Sequence, residues 1–198
     1  MFWLYALILL GIERFLYGYI YHFPESFKRT SKKYLKGLLE HDQGLYWLVA
    51  KHLGVVIKVF QFGVIGYDVF FRCTLGLPPV DRACAGLALL GLGQLLNVSV
   101  FNAIGAIGVY YGSQLGYKVP WHDGFPYNLG ISDPQYWGVI LCIWGVYFTI
   151  MDNGNILGGS YVVPILETFW YIVSMKLLES TVNGRAALQM LGIKAEGK

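Results

Sequence analysis

The chain has 198 residues, of which 56% are hydrophobic and 14% are charged, with a formal net charge of +3. A soluble domain of this size carries about 25% charged residues, so this composition and a mean hydropathy of +0.49 exclude an ordinary soluble protein. Apolar runs of about 20 residues instead predict an all-α integral membrane protein with four to five transmembrane helices, forming a single membrane-embedded domain over residues 1–198.

Residues 1–44 are predicted to form an N-terminal helix and a basic surface segment. Met1–Phe23 is apolar and lacks the basic start of a cleavable signal peptide. It carries Glu13 and Arg14 near its middle, which either face other helices or indicate that the segment is only partly inserted. After Pro24 comes a cluster of five basic residues, Lys28, Arg29, Lys32, Lys33 and Lys36. Such a cluster marks the cytoplasmic side of a membrane, and since no nucleic-acid-binding motif accompanies it we expect no nucleic-acid partner.

Residues 45–198 are predicted to form the helical core of the domain. Leu45–Phe71 is its first span, and Asp68 can pair with Arg72 one helical turn later. Ala83–Tyr111 follows, and its 29 residues give about 43 Å, so this span must tilt or extend past the membrane. We expect its polar residues to face the protein interior; they are Gln94, Asn97 and Asn102. Two overlapping GxxxG patterns permit close helix contact and a homodimer; they are formed by Gly108, Gly112 and Gly116.

The last two spans are predicted to form a C-terminal helical hairpin. They are Tyr136–Met151 and Tyr161–Leu178, joined by a turn at Asp152–Asn155. Glu167 lies inside the second of them, either as a functional residue or in an interhelical hydrogen bond. Five crossings would place the basic segment, residues 110–138 and Glu179 on the same side of the membrane, and the positive-inside rule makes that side cytoplasmic.

The segment Tyr110–Gly138 is the candidate for the wall of a reactive site. It concentrates glycine, proline, tyrosine and tryptophan between hydrophobic runs, and it contains His122, Asp123 and Asp133. Any of these three is a candidate general base. No metal-binding spacing is present, and we expect the three cysteines to be small apolar fillers; they are Cys73, Cys84 and Cys142.

Three stretches carry a resemblance to a known family. They are GLALLGLG (86–93), IGVYYGSQLGY (107–117) and GFPYNLGISDPQYWG (124–138). The chain resembles the phospholipid methyltransferase family, of the phosphatidylethanolamine N-methyltransferase type, over residues 86–181. It is more distantly similar to isoprenylcysteine carboxyl methyltransferases, but Ser132-Asp133 replaces the Arg-His of that wider superfamily. This departure favours a phospholipid substrate.

The resemblance implies methyl transfer from S-adenosyl-L-methionine to phosphatidylethanolamine and its mono- and dimethyl derivatives, towards phosphatidylcholine. It implies an enzyme of the endoplasmic reticulum or an equivalent membrane, with its active site facing the cytoplasm. The family's Gly-x-Gly cofactor motif matches Gly91-Leu92-Gly93, and its Glu-Glu pair aligns with Leu178-Glu179, where the first Glu is missing. The resemblance further indicates a pocket shaped by Tyr127, Pro134, Tyr136 and Gly138.

The predicted chemistry requires alignment of donor and amine, because methyl transfer is an in-line displacement. The sulfonium cation favours aromatic faces, for which Tyr127, Tyr136 and Trp137 are candidates, and Asp133 is the residue we assign as general base. Two alternatives stay open. One is an isoprenylcysteine carboxyl methyltransferase-like enzyme, and the other is a non-catalytic helical protein that uses its glycine-rich helix for assembly.

Overall fold

The structure is a computed structural model that describes residues 2–41, 45–151, 161–180 and 184–192. Its helices are α1 (Phe2–His22), α2 (Pro24–Tyr34), α3 (Lys36–His41), α4 (Tyr46–Tyr67), α5 (Val80–Val109), α6 (Pro134–Ile150), α7 (Val162–Val173) and α8 (Gly184–Met190). Within these ranges the β-type pairing is limited to an isolated antiparallel bridge between Leu75 and Met151. The predicted all-α class is therefore confirmed, while the predicted turn at residues 152–155 lies outside the described residues.

Three of the described helical segments are long and apolar enough to cross a membrane: Phe2–His22, Tyr46–Arg72 and Val80–Val109. Helix α6 has 17 residues, which corresponds to about 25 Å. Helix α7 and the π-helical turn Ser174–Leu178 that continues it are of similar length. The chain is thus a helical membrane protein, and the count of four to five crossings stays a prediction.

The predicted span Leu45–Phe71 is a continuous helix that extends to Arg72, because α4 continues into a π-helical turn at Asp68–Arg72. The predicted pairing of Asp68 with Arg72 is confirmed, with 3.4 Å between Arg72 Nε and Asp68 Oδ1. Asp68 is buried, and Tyr147 of α6 donates a hydrogen bond of 2.9 Å to its Oδ2. This buried carboxylate therefore ties α4 to α6.

Helix α5 ends earlier than its glycine pattern predicts. Gly105 interrupts it with a φ of 66°, and the helix ends at Val109. Gly112 and Gly116 follow in turns, and Gly116 has a φ of 85°, a conformation that glycine adopts at little cost. The prediction that Gly108, Gly112 and Gly116 share one helix face is therefore wrong, and a homodimer loses that support.

The expectation that the polar residues of α5 face the protein interior is wrong for two of the three. Gln94 and Asn102 are exposed, and Asn97 is partly buried. The reason is that α5 packs mainly against one neighbour, α6, so the rest of its circumference is not covered by protein.

Glycines set the contact between α5 and α6. A Cβ on Gly86 would lie 2.9 Å from the carbonyl oxygen of Gly145, and a Cβ on Gly93 would lie 2.5 Å from that of Gly138. Both distances are shorter than van der Waals contact, so the backbones approach this closely only because side chains are absent. The two antiparallel helices thus meet along a seam of small residues.

Helix α1 lies at the centre of the remaining helices and contacts α4, α7 and α8. Glu13 and Arg14 are both buried in these contacts, at 0% and 1% exposure. Of the two readings of these charges, the one in which they face other helices is confirmed. Glu167 is also buried and accepts a hydrogen bond of 2.6 Å from Gln61 of α4, so it forms the interhelical hydrogen bond that was one of its two predicted roles.

One end of the helical assembly gathers the basic segment and the start of the candidate site. Phe27 of α2, Val49 of α4, and Tyr111 and Leu115 share a hydrophobic cluster. Tyr117 accepts a hydrogen bond of 2.8 Å from the backbone of Tyr46. The basic helix α2 and the stretch after α5 therefore lie at the same end, as the counting of crossings predicted.

Candidate active site

A cavity of about 230 Å³ opens among α1, α4, the second half of α5, the turn after it, and the start of α6. Tyr171 of α7 and Glu179, which follows α7, complete its wall. Its lining is rich in tyrosine: Tyr17, Tyr21, Tyr110, Tyr111, Tyr127, Tyr136 and Tyr171. Aromatic faces attract cations and stack on planar groups, so these rings are suited to a cationic or planar part of an organic ligand.

Glu179 is held at the cavity wall by tyrosine hydroxyl groups. Tyr111 donates to its Oε2 over 2.6 Å and Tyr136 donates to its Oε1 over 2.7 Å. Ser174 also donates to Oε1. The π-helical turn places the carboxylate, since the backbone N–H of Glu179 bonds the carbonyl of Ser174 over 2.9 Å. A carboxylate offers about four acceptor sites, so one remains for a ligand.

The hydroxyl groups of Tyr111 and Tyr136 do not donate hydrogen bonds to each other. Their hydroxyl oxygens are 3.0 Å apart, but each O–H already donates to Glu179. Burial and the negative charge of Glu179 raise the pKa of Tyr111 well above its ordinary value. Tyr111 therefore stays protonated and keeps its donor role throughout the physiological pH range.

Asp133 lies at the mouth of the same cavity, immediately before α6. Its backbone is left-handed, with a φ of 50°. Its carbonyl oxygen accepts a hydrogen bond of 2.9 Å from the backbone N–H of Tyr136, in the first turn of the helix. The side chain is exposed, yet partial desolvation and the nearby charge of Glu179 raise the pKa of Asp133 above its ordinary value. A raised pKa makes this carboxylate a stronger base than a free aspartate.

The inner wall of the cavity carries two cations that the sequence does not assign to a site. Arg14 of α1 and Lys58 of α4 both line it. Glu13 accepts hydrogen bonds from Lys58 over 3.0 Å and from Tyr17 over 2.7 Å, and it pairs with Arg14. The sequence signal was the pair of charges at Glu13 and Arg14 inside an apolar run, but nothing in it indicated that Lys58 would reach them.

The structure brings five predicted residues to this cavity: Tyr127, Asp133, Pro134, Tyr136 and Glu179. The predicted residues that do not line it are Gly91, Leu92, Gly93 and Gly138. Trp137 and the two other candidate bases, His122 and Asp123, also lie outside its wall and are exposed. Asp133 is thus the candidate base that faces the cavity.

Gly91, Leu92 and Gly93 occupy the middle of α5. Gly93 and Gly138 pack against each other in the glycine seam, whereas a Cβ on Gly91 would meet nothing within 4 Å. Leu92 is 55% exposed. Val100, Ile104 and Gly108, further along the same helix, face the cavity instead. Cofactor binding by residues 91–93 stays a prediction.

Comparison with known sequences connects this geometry to a family. The sequence model of the phospholipid methyltransferases matches residues 82–184, which is more than half of the chain. The chain belongs to the phospholipid methyltransferase family. This confirms the resemblance predicted from the three sequence stretches.

Two curated members are similar to parts of the chain. A phosphatidylethanolamine N-methyltransferase of Homo sapiens is 44% identical over 102 residues, which cover 48% of this chain and 50% of the relative. A phosphatidyl-N-methylethanolamine N-methyltransferase of Arabidopsis thaliana is 42% identical over 55 residues, covering 28% of this chain and 33% of the relative. The chain thus spans between a third and a half of the length of these relatives. No solved structure matches it.

The matched phospholipid methyltransferase region contains only part of the cavity. Tyr111, Asp133, Tyr136 and Glu179 lie within residues 82–184, whereas Arg14 lies before them on α1. Lys58 on α4 also lies before the matched region. The family region therefore supplies the acidic and aromatic wall, and the first two long helices supply the cationic wall.

Proposed function

We propose that this chain is an S-adenosyl-L-methionine-dependent methyltransferase that methylates the amine of phosphatidylethanolamine, of its mono- and dimethyl derivatives, or of all three. The observation that supports this most directly is the placement of Glu179 in a tyrosine-lined cavity of a membrane protein that belongs to the phospholipid methyltransferases. Residues 1–198 would act as one domain, because α1 and α4 complete the cavity wall.

The residues present fit the proposed donor. S-adenosyl-L-methionine, when bound, supplies an electrophilic methyl group on a sulfonium cation. Tyrosine faces favour such a cation. The free acceptor site of Glu179 can take a hydrogen bond from a hydroxyl or amino group of the cofactor. Tyr111 and Tyr136 hold the Glu179 carboxylate in one orientation, and this reduces the ordering cost of binding.

Asp133 is the group that we assign to proton removal. An ammonium group has no lone pair, so the lipid amine must lose a proton before it can attack a methyl group. Asp133 lies at the cavity mouth, and its raised pKa suits a general base. The new N–C bond then forms as the donor C–S bond breaks, and the proton passes from Asp133 to solvent.

The placement of the cavity supports entry of the two substrates from different sides. It opens at the end of the helical assembly where α2 carries the basic cluster, which by the positive-inside rule is the cytoplasmic end. We propose that the cofactor enters from the cytoplasm and that the lipid enters laterally from the endoplasmic reticulum membrane or an equivalent bilayer.

The test is methylation by the purified protein in lipid vesicles. Methyl-labelled S-adenosyl-L-methionine is supplied with vesicles that contain phosphatidylethanolamine, and labelled lipid is expected. A prenylated cysteine substrate in a parallel reaction should stay unlabelled. Folded protein that binds the donor but labels no lipid would contradict the proposed function.

Glu179→Gln tests the assignment of the donor site. The change keeps the size of the side chain but removes its charge, so we expect the Kd for S-adenosyl-L-homocysteine to rise by about tenfold or more. Glu40→Gln is the matched control, because Glu40 is an exposed carboxylate on α3 that pairs with Lys36. An unchanged Kd in Glu179→Gln would remove this residue from the donor site.

A further inference from the structure

Arg14 has hydrogen-bond donors for which the described structure shows no acceptor. Its side chain is 1% exposed and lines the cavity. One terminal nitrogen pairs with Glu13, but Nε and Nη1 have no partner. Buried donors without an acceptor destabilise the protein, because the guanidinium has lost its hydrogen bonds to water. The arrangement therefore points to an acceptor that arrives with a ligand.

Aromatic rings hold the guanidinium of Arg14 in place. Its Cζ lies 4.0 Å from the ring centroid of Tyr171 and 5.1 Å from that of Tyr136. Ring faces bind a guanidinium without consuming its N–H groups. The plane of the cation is thus fixed while its donors stay available to a ligand.

Lys58 brings a second cation to the same wall. Its Nζ bonds Glu13 Oε2 over 3.0 Å, and its side chain is 32% exposed. An ammonium has three N–H donors, so the hydrogen bond to Glu13 leaves other donors of Lys58 available. Gln61 is a further acceptor at 3.5 Å, at the limit of hydrogen bonding. Glu167 lies nearby, but it bonds Gln61 and does not line the cavity.

The cavity wall therefore carries charged groups of both signs. Arg14 and Lys58 form one pole, and Glu179 and Asp133 form the other. Tyr136 spans the distance between them, since its ring faces Arg14 and its hydroxyl bonds Glu179. A ligand that matches this arrangement carries an anion and a cation separated by a few bonds.

We propose that Arg14 and Lys58 form an oxyanion subsite that orients a zwitterionic ligand across the cavity. This inference rests on the proposed function, and two ligands of that reaction carry the required anion. One is the phosphate of the phospholipid headgroup, which lies two carbons from the amine. The other is the carboxylate of the methyl donor. Arginine and lysine bind either anion through charge-assisted hydrogen bonds.

The experiment measures two affinities separately. Dihexanoyl phosphatidylethanolamine, a short-chain soluble lipid, and S-adenosyl-L-homocysteine are each titrated into the 198-residue protein by calorimetry. Lys58→Met removes the ammonium and keeps a similar length of side chain. Because Lys58 is partly exposed, this variant is expected to fold, and a thermal unfolding curve verifies it. Arg14→Gln is measured in the same way.

Lys51→Met is the matched control. Lys51 lies about two turns earlier on α4, and it does not line the cavity. We expect both Kd values of this control to stay within about twofold of the wild type. A rise in Kd that occurs in Lys58→Met but not in Lys51→Met is then caused by loss of the subsite and not by loss of a lysine from the helix.

The pattern of Kd values identifies the anion. A rise of about tenfold or more for the lipid alone assigns the subsite to the phosphate, and the same rise for S-adenosyl-L-homocysteine alone assigns it to the carboxylate. If folded Lys58→Met keeps both Kd values within about twofold, the subsite does not exist.

Failure of the subsite and failure of the proposed function give different results. Wild-type protein that binds the short-chain lipid with dependence on Lys58, but transfers no labelled methyl group, contradicts the proposed function and leaves the subsite. Wild-type protein that labels the lipid while Lys58→Met retains wild-type affinities contradicts the subsite and leaves the function.

Discussion

Tyr136 shows how a single residue can serve both ends of the cavity. Its hydroxyl donates to Glu179 over 2.7 Å, and its ring lies 5.1 Å from the guanidinium carbon of Arg14. The acidic and the cationic walls are thus held at a set separation by one rigid side chain. A rigid spacer of this kind pre-organises a site, because little side-chain entropy is lost when a ligand binds.

Asp133→Asn should slow methyl transfer and change its pH dependence. A general base typically contributes about 10²–10⁴-fold to rate, so we expect kcat to fall by about 10²-fold or more. The pKa of Asp133 is raised, and the base form exists only above it. Wild-type activity should therefore decline as pH falls through that raised pKa, at a higher pH than for an ordinary aspartate.

The pH–rate profile of purified protein measures this prediction. In Asp133→Asn, the fall in rate at low pH that comes from protonation of Asp133 should disappear. The rise in rate with pH that comes from deprotonation of the lipid amine should remain in both proteins. Asp123→Asn is the control, because Asp123 is exposed and does not line the cavity. A wild-type kcat in Asp133→Asn would contradict the assignment of Asp133 as the general base.

Glu13→Gln should destabilise the fold. Glu13 is buried between Arg14 and Lys58, and removing one partner from a buried ion pair costs about 3–5 kcal/mol because the remaining charge is left uncompensated. Thermal unfolding in detergent should show a large fall in Tm. Glu25→Gln breaks an exposed pair with Lys28 and should cost about 1 kcal/mol or less. Equal Tm values for the two variants would mean that the buried pair does not stabilise the fold.

Among the helices, glycines set the close approach of α5 and α6. Gly86 and Gly93 lie seven residues apart on α5, and Gly138 and Gly145 lie seven apart on α6. This spacing returns each glycine to nearly the same face after two turns. The seam draws that face of α5 against α6. Val100, Ile104 and Gly108 then line the cavity further along the helix.

Gly93→Ala should weaken the contact between α5 and α6. The added Cβ would lie 2.5 Å from the carbonyl oxygen of Gly138 and 2.9 Å from the backbone nitrogen of Cys142. Neither backbone atom can move without displacing a helix, so we expect overpacking to cost about 1–3 kcal/mol. The Tm of the purified variant measures this, and an unchanged Tm would contradict close packing at the seam.

Gly91→Ala is the comparison on the same helix. Nothing lies within 4 Å of the added Cβ, so we expect the Tm to be maintained. The Kd of this variant for S-adenosyl-L-homocysteine tests the cofactor-binding prediction for residues 91–93. A rise of about tenfold would assign the stretch to the donor site, and an unchanged value would assign it to helix packing.

At the scale of the whole molecule, the ends of the long helices define two sides. The basic helix α2, residues 110–117 and the cavity mouth lie at one end, and the connection from Arg72 to Val80 lies at the other. This arrangement matches a protein in which α1, α4 and α5 cross a bilayer in alternating directions.

Cysteine labelling in sealed vesicles should reveal these two sides. In a variant whose native cysteines are replaced by serine or alanine, single cysteines are introduced as Lys32→Cys, Asp123→Cys and Leu77→Cys. All three positions are exposed. We expect a membrane-impermeant maleimide to label positions 32 and 123 from the same side and position 77 only from the other. Labelling of all three from one side would contradict the crossing pattern.

The membrane class, the positions of the long helices and most of the acidic wall of the candidate site are readable from sequence patterns. Long apolar runs, prolines and local spacing carry this information, because they act within one element. Asp133, Tyr136 and Glu179 were recognisable for the same reason: each lies in or beside a short stretch that resembles a family of known chemistry. The predicted span Ala83–Tyr111 ends within two residues of the observed end of α5 at Val109, but the kink at Gly105 is not readable from its neighbours.

Which distant residues meet depends instead on how the helices pack against one another. Arg14 and Lys58 are separated by 44 positions in the chain, and a charge within an apolar run does not indicate its partner. The two side chains share a wall because α1 packs against α4. The contact between Gly93 and Gly138 likewise depends on the approach of two helices. Long-range packing thus supplied the cationic half of the cavity, for which the local sequence offers the charges at Glu13 and Arg14 but no link to Lys58.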